Sequence, residues 1–194
     1  MTPTQEREFI RQAQGDPQAF APLYDQYFPR VHAYVCYRVY DPHDAEDLVA
    51  DVFCRAISHL KRFKWRNAHS FAAWLFGIAH NRVVDYARGR KRAGVVLDPQ
   101  EDLAQWADRL PLPEEALAQQ EAVQQMRALI ATLSPRRQEV ITLRFYGGLR
   151  NNEIARVLGL DERTVAAHLC RALRDLERQY TAPAQPERTA EAVT

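Results

Sequence analysis

Cysteine is scarce in this sequence: 194 residues hold three, Cys36, Cys54 and Cys170, all isolated. None forms a CxxC pair, and no histidine stands at metal-ligand spacing from a cysteine pair. That speaks against a disulfide framework, a metal site or thiol redox chemistry. Reduced, buried thiols are the expectation. Long apolar runs are missing as well; nothing approaches the roughly 18 residues of a membrane span. The opening MTPTQEREFIRQAQ lacks a basic segment followed by an apolar stretch, so no secretion signal is expected and the compartment is cytoplasmic. The nucleotide-binding patterns GxxxxGK and GxGxxG are absent, as are HExxH and GxSxG, so neither catalysis, a cofactor nor a small-molecule substrate is expected. Lysine is rare too: of 26 basic residues only Lys61, Lys64 and Lys91 are not arginine. Arginine suits phosphate forks and base edges, although a GC-rich genome leaves the same bias.

What is present is charge in blocks. Residues 1–54 hold nine acids against Arg7, Arg11, Arg30 and Arg38, a net of −5. Residues 55–92 hold ten bases against Asp85, a net of +9. An acidic stretch, 93–126, carries −6, and 127–178 carries +4 with ten arginines. Two basic blocks around an acidic one suggest two polyanion-binding modules on a tether that avoids the polyanion.

Strand signals are few and helical periodicity runs nearly throughout, so the expected class is all-α. Residues 17–40 and 44–60 have apolar positions at spacings of three and four, and Asp44 is the expected cap of the second helix. The loop KWRNAHS follows, then a helix from about Phe71 to Arg88. Pro99, Pro111 and Pro113 mark 93–116 as a linker. Helices are expected again at 117–131, at 135–146 and in a final pair ending near Tyr180. The units are therefore 10–92 and 117–180, with 181–194 a polar tail expected to be disordered.

The stretch NNEIARVLGLDERTVAAHL, residues 151–169, has the skeleton of a helix-turn-helix. Ala155 lets the second helix cross closely, Gly159 can end the first in the left-handed conformation, and Val165 plugs the second into the core. Asp161 is the expected cap. The outward positions of the second helix are Arg163, Thr164, Ala166, Ala167, His168 and Arg171. Arginines can fork onto guanine or phosphate and alanine methyls can touch thymine. Such a set is thin for a lone reader, so a second reader is expected.

Residues 61–92 fit that role. Lys64, Trp65, Arg66, Asn67 and His69 combine an aromatic face with positive charge and amide donors, which an unstacked base requires. Asn81, Arg82, Asp85 and Arg88 lie along one helical face, trailed by Arg90, Lys91 and Arg92 as phosphate anchors.

The runs DAEDLVADVFCRAISHL, FAAWLFGIAHNRVVDYARGRKR and LSPRRQEVITLRFYGGLRNNEIARVLGLDERTVAAHLCRAL closely resemble an extracytoplasmic-function sigma factor of bacteria. The resemblance covers about 18–92 and 117–178. It implies two helical domains: region 2, which binds core RNA polymerase and reads and melts the −10 element, and region 4, which binds the −35 element. Asp44, Glu46, Asp47 and Asp51 then match the segment that grips the polymerase β′ clamp, with Asp44, Asp47 and Asp51 at i, i+3 and i+7 on one face. KWRNAHS matches the loop that holds a flipped base, with Asn81 near its pocket, and Trp74 is mainly structural. Arg82, Arg88, Arg90 and Arg92 would follow phosphates. Arg150 joins the −35 set. Leu143, Phe145 and Tyr146 match the helix that meets the β-flap, or are core. The acidic linker would run through the polymerase as a nucleic-acid mimic. An anti-sigma factor, often membrane-bound in the family, is a further implied partner. The family usually has a basic residue at Ala166, a small polar one at Ala167 and an arginine at His168, so −35 preference is expected to shift towards A/T-rich shape. The competing possibility is a stand-alone repressor or activator using only the C-terminal motif. It predicts a ligand or phosphoacceptor domain ahead of that motif, which the acidic helix and tryptophan loop do not resemble.

Overall fold

The computed structural model describes residues 1–39, 41–67, 70–93 and 114–181, so the expected linker, the tail and His69 lie largely or wholly outside it. All regular structure among the described residues is helical: α1 (Pro3–Gly15), a 3-10 turn (Pro17–Phe20), α2 (Ala21–Arg38), α3 (Pro42–Leu60), α4 (Ser70–Arg92), α5 (Glu114–Ala131), α6 (Pro135–Phe145), α7 (Asn151–Leu158) and α8 (Glu162–Thr181).

Helix α1 was not expected, and it begins ahead of the boundary placed at residue 10. Its signal is local. Thr2 and Gln5 form a reciprocal capping box, and Pro3 occupies the first turn, where no backbone donor is needed. With Ile10 and Ala13 buried amid many polar residues, its apolar stripe is too thin to stand out. The helix still matters to the site. Gln14 donates to the carbonyls of Leu60 (3.0 Å) and Phe63 (2.8 Å), satisfying the end of α3 where the KWRNAHS loop departs. Buried Glu6 accepts a bond from the Tyr27 hydroxyl.

The cap of α3 is Asp41, not Asp44: its carboxylate accepts from the amides of His43 (2.8 Å) and Asp44 (3.1 Å), with Pro42 at the first helical position. That frees the Asp44 side chain for other work. Helix α4 runs on through Gly89 to Arg92, past the expected end.

The helix-turn-helix of α7 and α8 follows expectation. Ala155 is 6% exposed and Val165 fully buried. Gly159 caps α7 at φ +65°, the left-handed region that favours glycine. Asp161 caps α8 through the Thr164 amide (2.7 Å).

The two halves are not held apart. Helix α7 packs along α4, and one apolar core continues from Phe76, Ala79 and Val83 to Leu143, Leu149, Ile154 and Val165. A smaller cluster, Ile130, Leu133, Ile141 and Ala172, joins α5 and α6 to α8.

Candidate nucleic-acid and polymerase interface

A cleft of about 890 Å³ opens between the end of α3, residues 62–67 and one face of α4. Lys64, Arg66, Asn81 and Arg82 line it as the sequence suggests. So do residues that the sequence did not flag: Arg55, His59, Arg62, Phe63, Trp74 and, from α7, Arg156. Cations and two aromatic rings in one cleft give phosphate neutralisation beside a π-face.

Trp65 is half-buried and packs on the core, and it is Trp74 that lines the cleft. Trp74 is tilted against Phe63 (ring centroids 5.0 Å) and Phe71 (5.6 Å), so it is both structural and cleft-facing. A helix-borne ring held by two neighbours is a more fixed platform than a loop tryptophan. The loop is itself pinned by Ser70. The Ser70 hydroxyl donates to the Asn67 carbonyl (2.8 Å) and accepts from the Arg66 amide (3.3 Å). A serine opening a helix after a polar loop was the signal available for it.

Two of the expected docking carboxylates are already engaged. Asp51 accepts from Arg55 (2.9 Å) and from Arg82. Burial pushes its carboxyl up, but the bonds from Arg55 and Arg82 outweigh that and hold it below the ordinary aspartate range. Asp44 accepts from the Tyr86 hydroxyl (2.6 Å), which burial first, and then this bond, raises above the usual phenol range. Glu46 and Asp47 are exposed. The acidic face is therefore split: Glu46 and Asp47 are exposed, while Asp44 and Asp51 tie α3 to Tyr86 and Arg82 of α4.

The trailing basic residues also divide. Arg90 bonds the Tyr86 hydroxyl (2.8 Å), lies over its ring and comes within 4.0 Å of Asp44, so it fixes helices together. Arg88 is exposed and 3.9 Å from Asp85, while Lys91 and Arg92 are exposed.

On α8, Arg163, Ala166 and Arg171 are exposed, but Ala167 and His168 are half-buried. The Thr164 hydroxyl donates to the Asp161 carboxylate (2.6 Å), which these Thr164 bonds hold below its ordinary range. The outward reading set is thus smaller than expected. Arg150 is exposed where α7 begins. Of the three flap-matching residues, Leu143 is fully buried, Tyr146 stacks on Tyr37 (4.3 Å), and Phe145 alone is well exposed, at 60%. The thiols correct the expectation of burial: Cys54 and Cys170 are exposed and Cys36 is half-buried. Among the described residues no group of His, Cys, Asp and Glu could hold a metal, and no helix is long and apolar enough to cross a membrane.

Comparison with known proteins gives this geometry a context. Residues 23–93 match Sigma-70 region 2, and 123–176 match Sigma-70, region 4. The chain is 34% identical to the ECF RNA polymerase sigma factor BldN of Streptomyces coelicolor over 88% of this chain, though it spans 64% of that relative's length. It is 30% identical to the RNA polymerase sigma factor YlaC of Bacillus subtilis over 86% of this chain and 94% of that one. In fold it is similar to CnrH, solved in complex with the cytosolic domain of CnrY, with a TM-score of 0.66 at 23% identity over 92% of this chain and 98% of that one. With both regions matched in order and a relative covered almost end to end, the chain belongs to the sigma-70 family of RNA polymerase sigma factors, in its extracytoplasmic-function group.

Proposed function

We propose that this sigma factor divides promoter recognition between two unequal readers, with region 2 the stronger. The cleft beside α4 carries the proposal: Arg62, Lys64 and Arg66 stand around Trp74 and Phe63, with Asn81 as a polar group facing the same space. A base of the non-template −10 strand, once unstacked, would enter there, its phosphates met by the arginines. Asp47 and Glu46, exposed on α3, would dock the β′ clamp of core polymerase, and Phe145 the β-flap. Arg163, Ala166 and Arg171 of α8, with Arg150, would meet the −35 element.

The thin set on α8 suffices because the polymerase is already held by region 2, so the second contact acts at high effective concentration. The chain would then be a specificity subunit acting in the cytoplasm with no catalysis of its own. An anti-sigma factor covering the polymerase-binding surfaces is a proposed partner; the similar fold of the sigma factor RpoE was solved in complex with the anti-sigma factor NepR from Bartonella quintana.

Purified chain added to core polymerase tests this. Initiation at a subset of promoters, lost on Arg62→Ala with Arg66→Ala, is the expected result. Tight promoter binding without polymerase and without initiation would point instead to a stand-alone repressor.

A further inference from the structure

Helix α1 lies ahead of the residues matched to region 2, yet it is bonded to the wall of the cleft. The Gln14 side-chain amide donates to two carbonyls at once, Leu60 (3.0 Å) and Phe63 (2.8 Å), at the point where α3 ends. The Leu60 carbonyl also accepts from the Phe63 amide (2.9 Å), and the His59 carbonyl accepts from the Arg62 amide (3.0 Å). The backbone is thus drawn into a tight closing turn, and one glutamine spans it. His59, Arg62, Phe63 and Lys64 all line the cleft; Gln14 does not.

The other end of α1 is anchored too. Buried Glu6 accepts from the Tyr27 hydroxyl, and Ile10 and Ala13 fill the stripe between the two anchors. Glu6, Ile10, Ala13 and Gln14 share one face of the helix, which meets the core and ends on the turn. The Tyr27 ring stands edge-on to Phe71 (centroids 5.2 Å). Phe71 lies 5.6 Å from both Phe63 and Trp74, and these two are 5.0 Å apart. Both anchors of α1 therefore lead to the same pair of rings. One reaches them through the backbone of the turn, the other through a chain of aromatic contacts.

The placement of those rings is what an unstacked base would meet, because stacking needs a face held at a fixed position. Phe63 lies beyond the last residue of α3, where the helical ladder no longer fixes the backbone. Gln14 supplies the missing bonds. Its amide is uncharged, so it adds nothing to the attraction for phosphate and acts through geometry alone.

We infer that Gln14 is a positioning residue for promoter-strand capture: it holds the Leu60–Phe63 turn so that Phe63 braces Trp74 as the platform for the unstacked base. This rests on the assignment of the cleft to the −10 strand, and it adds a residue of α1 that works from behind the cleft wall.

Holoenzyme assembled from the full chain and core polymerase, titrated with a short single-stranded −10 oligonucleotide, tests the inference. Gln14→Met keeps the length of the side chain and removes the donor. It should bind the strand about fivefold more weakly, part of the loss expected when a stacking ring is removed. The slope of log affinity against log salt should stay unchanged, because no charge is altered. Affinity for core polymerase should match wild type, since the exposed Glu46 and Asp47 stand at the other end of α3. In a Trp74→Leu background, where no ring remains to be placed, Gln14→Met should cost nothing further. An amide that only stabilised the fold would weaken strand binding by the same factor in both backgrounds. That result overturns the inference, as does undiminished strand binding by Gln14→Met or a parallel loss of core polymerase affinity. Arg62→Ala with Arg66→Ala checks the cleft separately. Strand binding lost in that double variant but intact in Gln14→Met overturns the role of Gln14 alone. Strand binding intact in both removes the assignment of the cleft, and the inference with it.

Discussion

Arg82 of α4 donates to the Asp51 carboxylate of α3, and the same carboxylate accepts from Arg55 one turn further along its own helix. A residue proposed to meet DNA and a residue proposed to meet polymerase are thus one ion-paired unit. Substituting either would disturb both proposed roles, so Asp47, four residues earlier and exposed, is the cleaner handle on the proposed docking.

Charge reversal separates the two roles. Asp47→Lys should lower core polymerase affinity at least tenfold while leaving the unfolding midpoint of the chain unchanged. Asp51→Lys should weaken the same binding and also destabilise the fold by about 1 kcal/mol, since it breaks a half-exposed pair and sets like charges side by side. Titration of labelled chain with core polymerase, beside thermal melts, checks both. Undiminished binding by Asp47→Lys would remove the acidic docking surface.

The cleft residues should differ in salt dependence. For single strands, each phosphate contact contributes about 0.7 to the slope of log affinity against log salt. Arg62→Ala and Lys64→Ala should each lower that slope by up to about 0.7. Trp74→Phe should reduce affinity with the slope unchanged, because it alters stacking and not charge. Trp65→Phe should leave strand affinity unaltered. An equal loss from both tryptophan variants would contradict the inward placement of Trp65.

Much of this was legible beforehand, for physical reasons that can be named. Ala155, Gly159 and Val165 each answer a local steric demand, so the helix-turn-helix could be read directly. The basic block from Arg55 to Arg92 could be read as a cluster of charge, and several of its members do line one cleft, because summed charge is visible in composition. Arg156 and Arg30 were hidden for the opposite reason. Their partners, Asn67 and the Gly147–Gly148 carbonyls, are 89 and more than 100 residues away, and no periodicity encodes a contact between two surfaces that are each complete in themselves. Asp44 and Asp51 share a helical face in sequence, as expected. What spacing could not show is that this face is turned towards the arginine and tyrosine of α4. Helix α1 escaped because its stripe is thin and its cap sits in the first residues.

Gly159 offers a test of local geometry. A β-carbon there meets nothing within 4 Å, so crowding is not the constraint; φ +65° is. Gly159→Ala should cost about 1–2 kcal/mol, the usual penalty of the left-handed region, and Gly159→Asn less. Chemical denaturation of the chain measures both, and equal stability of the alanine variant would show that the turn adopts another path.

The −35 contact should gain from charge. Ala166 is exposed between Arg163 and Cys170 on the outer face of α8, whereas Ala167 is half-buried. Ala166→Lys should strengthen promoter binding by holoenzyme several-fold and move the preferred upstream element away from A/T-rich shape. Ala167→Lys should gain less and destabilise region 4. Binding selection with randomised upstream elements reports the preference, and an unchanged preference after Ala166→Lys counts against methyl and shape readout by this helix.

The seam between the regions should weaken in mild acid. His80 of α4 places Nδ1 3.3 Å from the Tyr34 hydroxyl and Nε2 3.9 Å from the Glu139 carboxylate of α6. Burial lowers its affinity for a proton; Glu139 opposes this, while Arg38 and Arg136 add to it, and the net shift is downward. Tyr34 beside it is pushed up to about 12 by burial, so it stays a neutral phenol throughout. A histidine whose folded pKa is depressed is protonated first in the unfolded chain. Its stabilising share is complete above about pH 6.5, the ordinary value, and shrinks as pH falls towards the depressed one. The unfolding free energy of the wild type should therefore drop between about pH 7.5 and 5.5, and His80→Gln should flatten that part of the curve. Glu139→Gln removes the acid that supports the imidazolium, so it should steepen the drop. A Glu139→Gln curve flatter than wild type would mean that His80 is charged, and held by Glu139, in the folded chain.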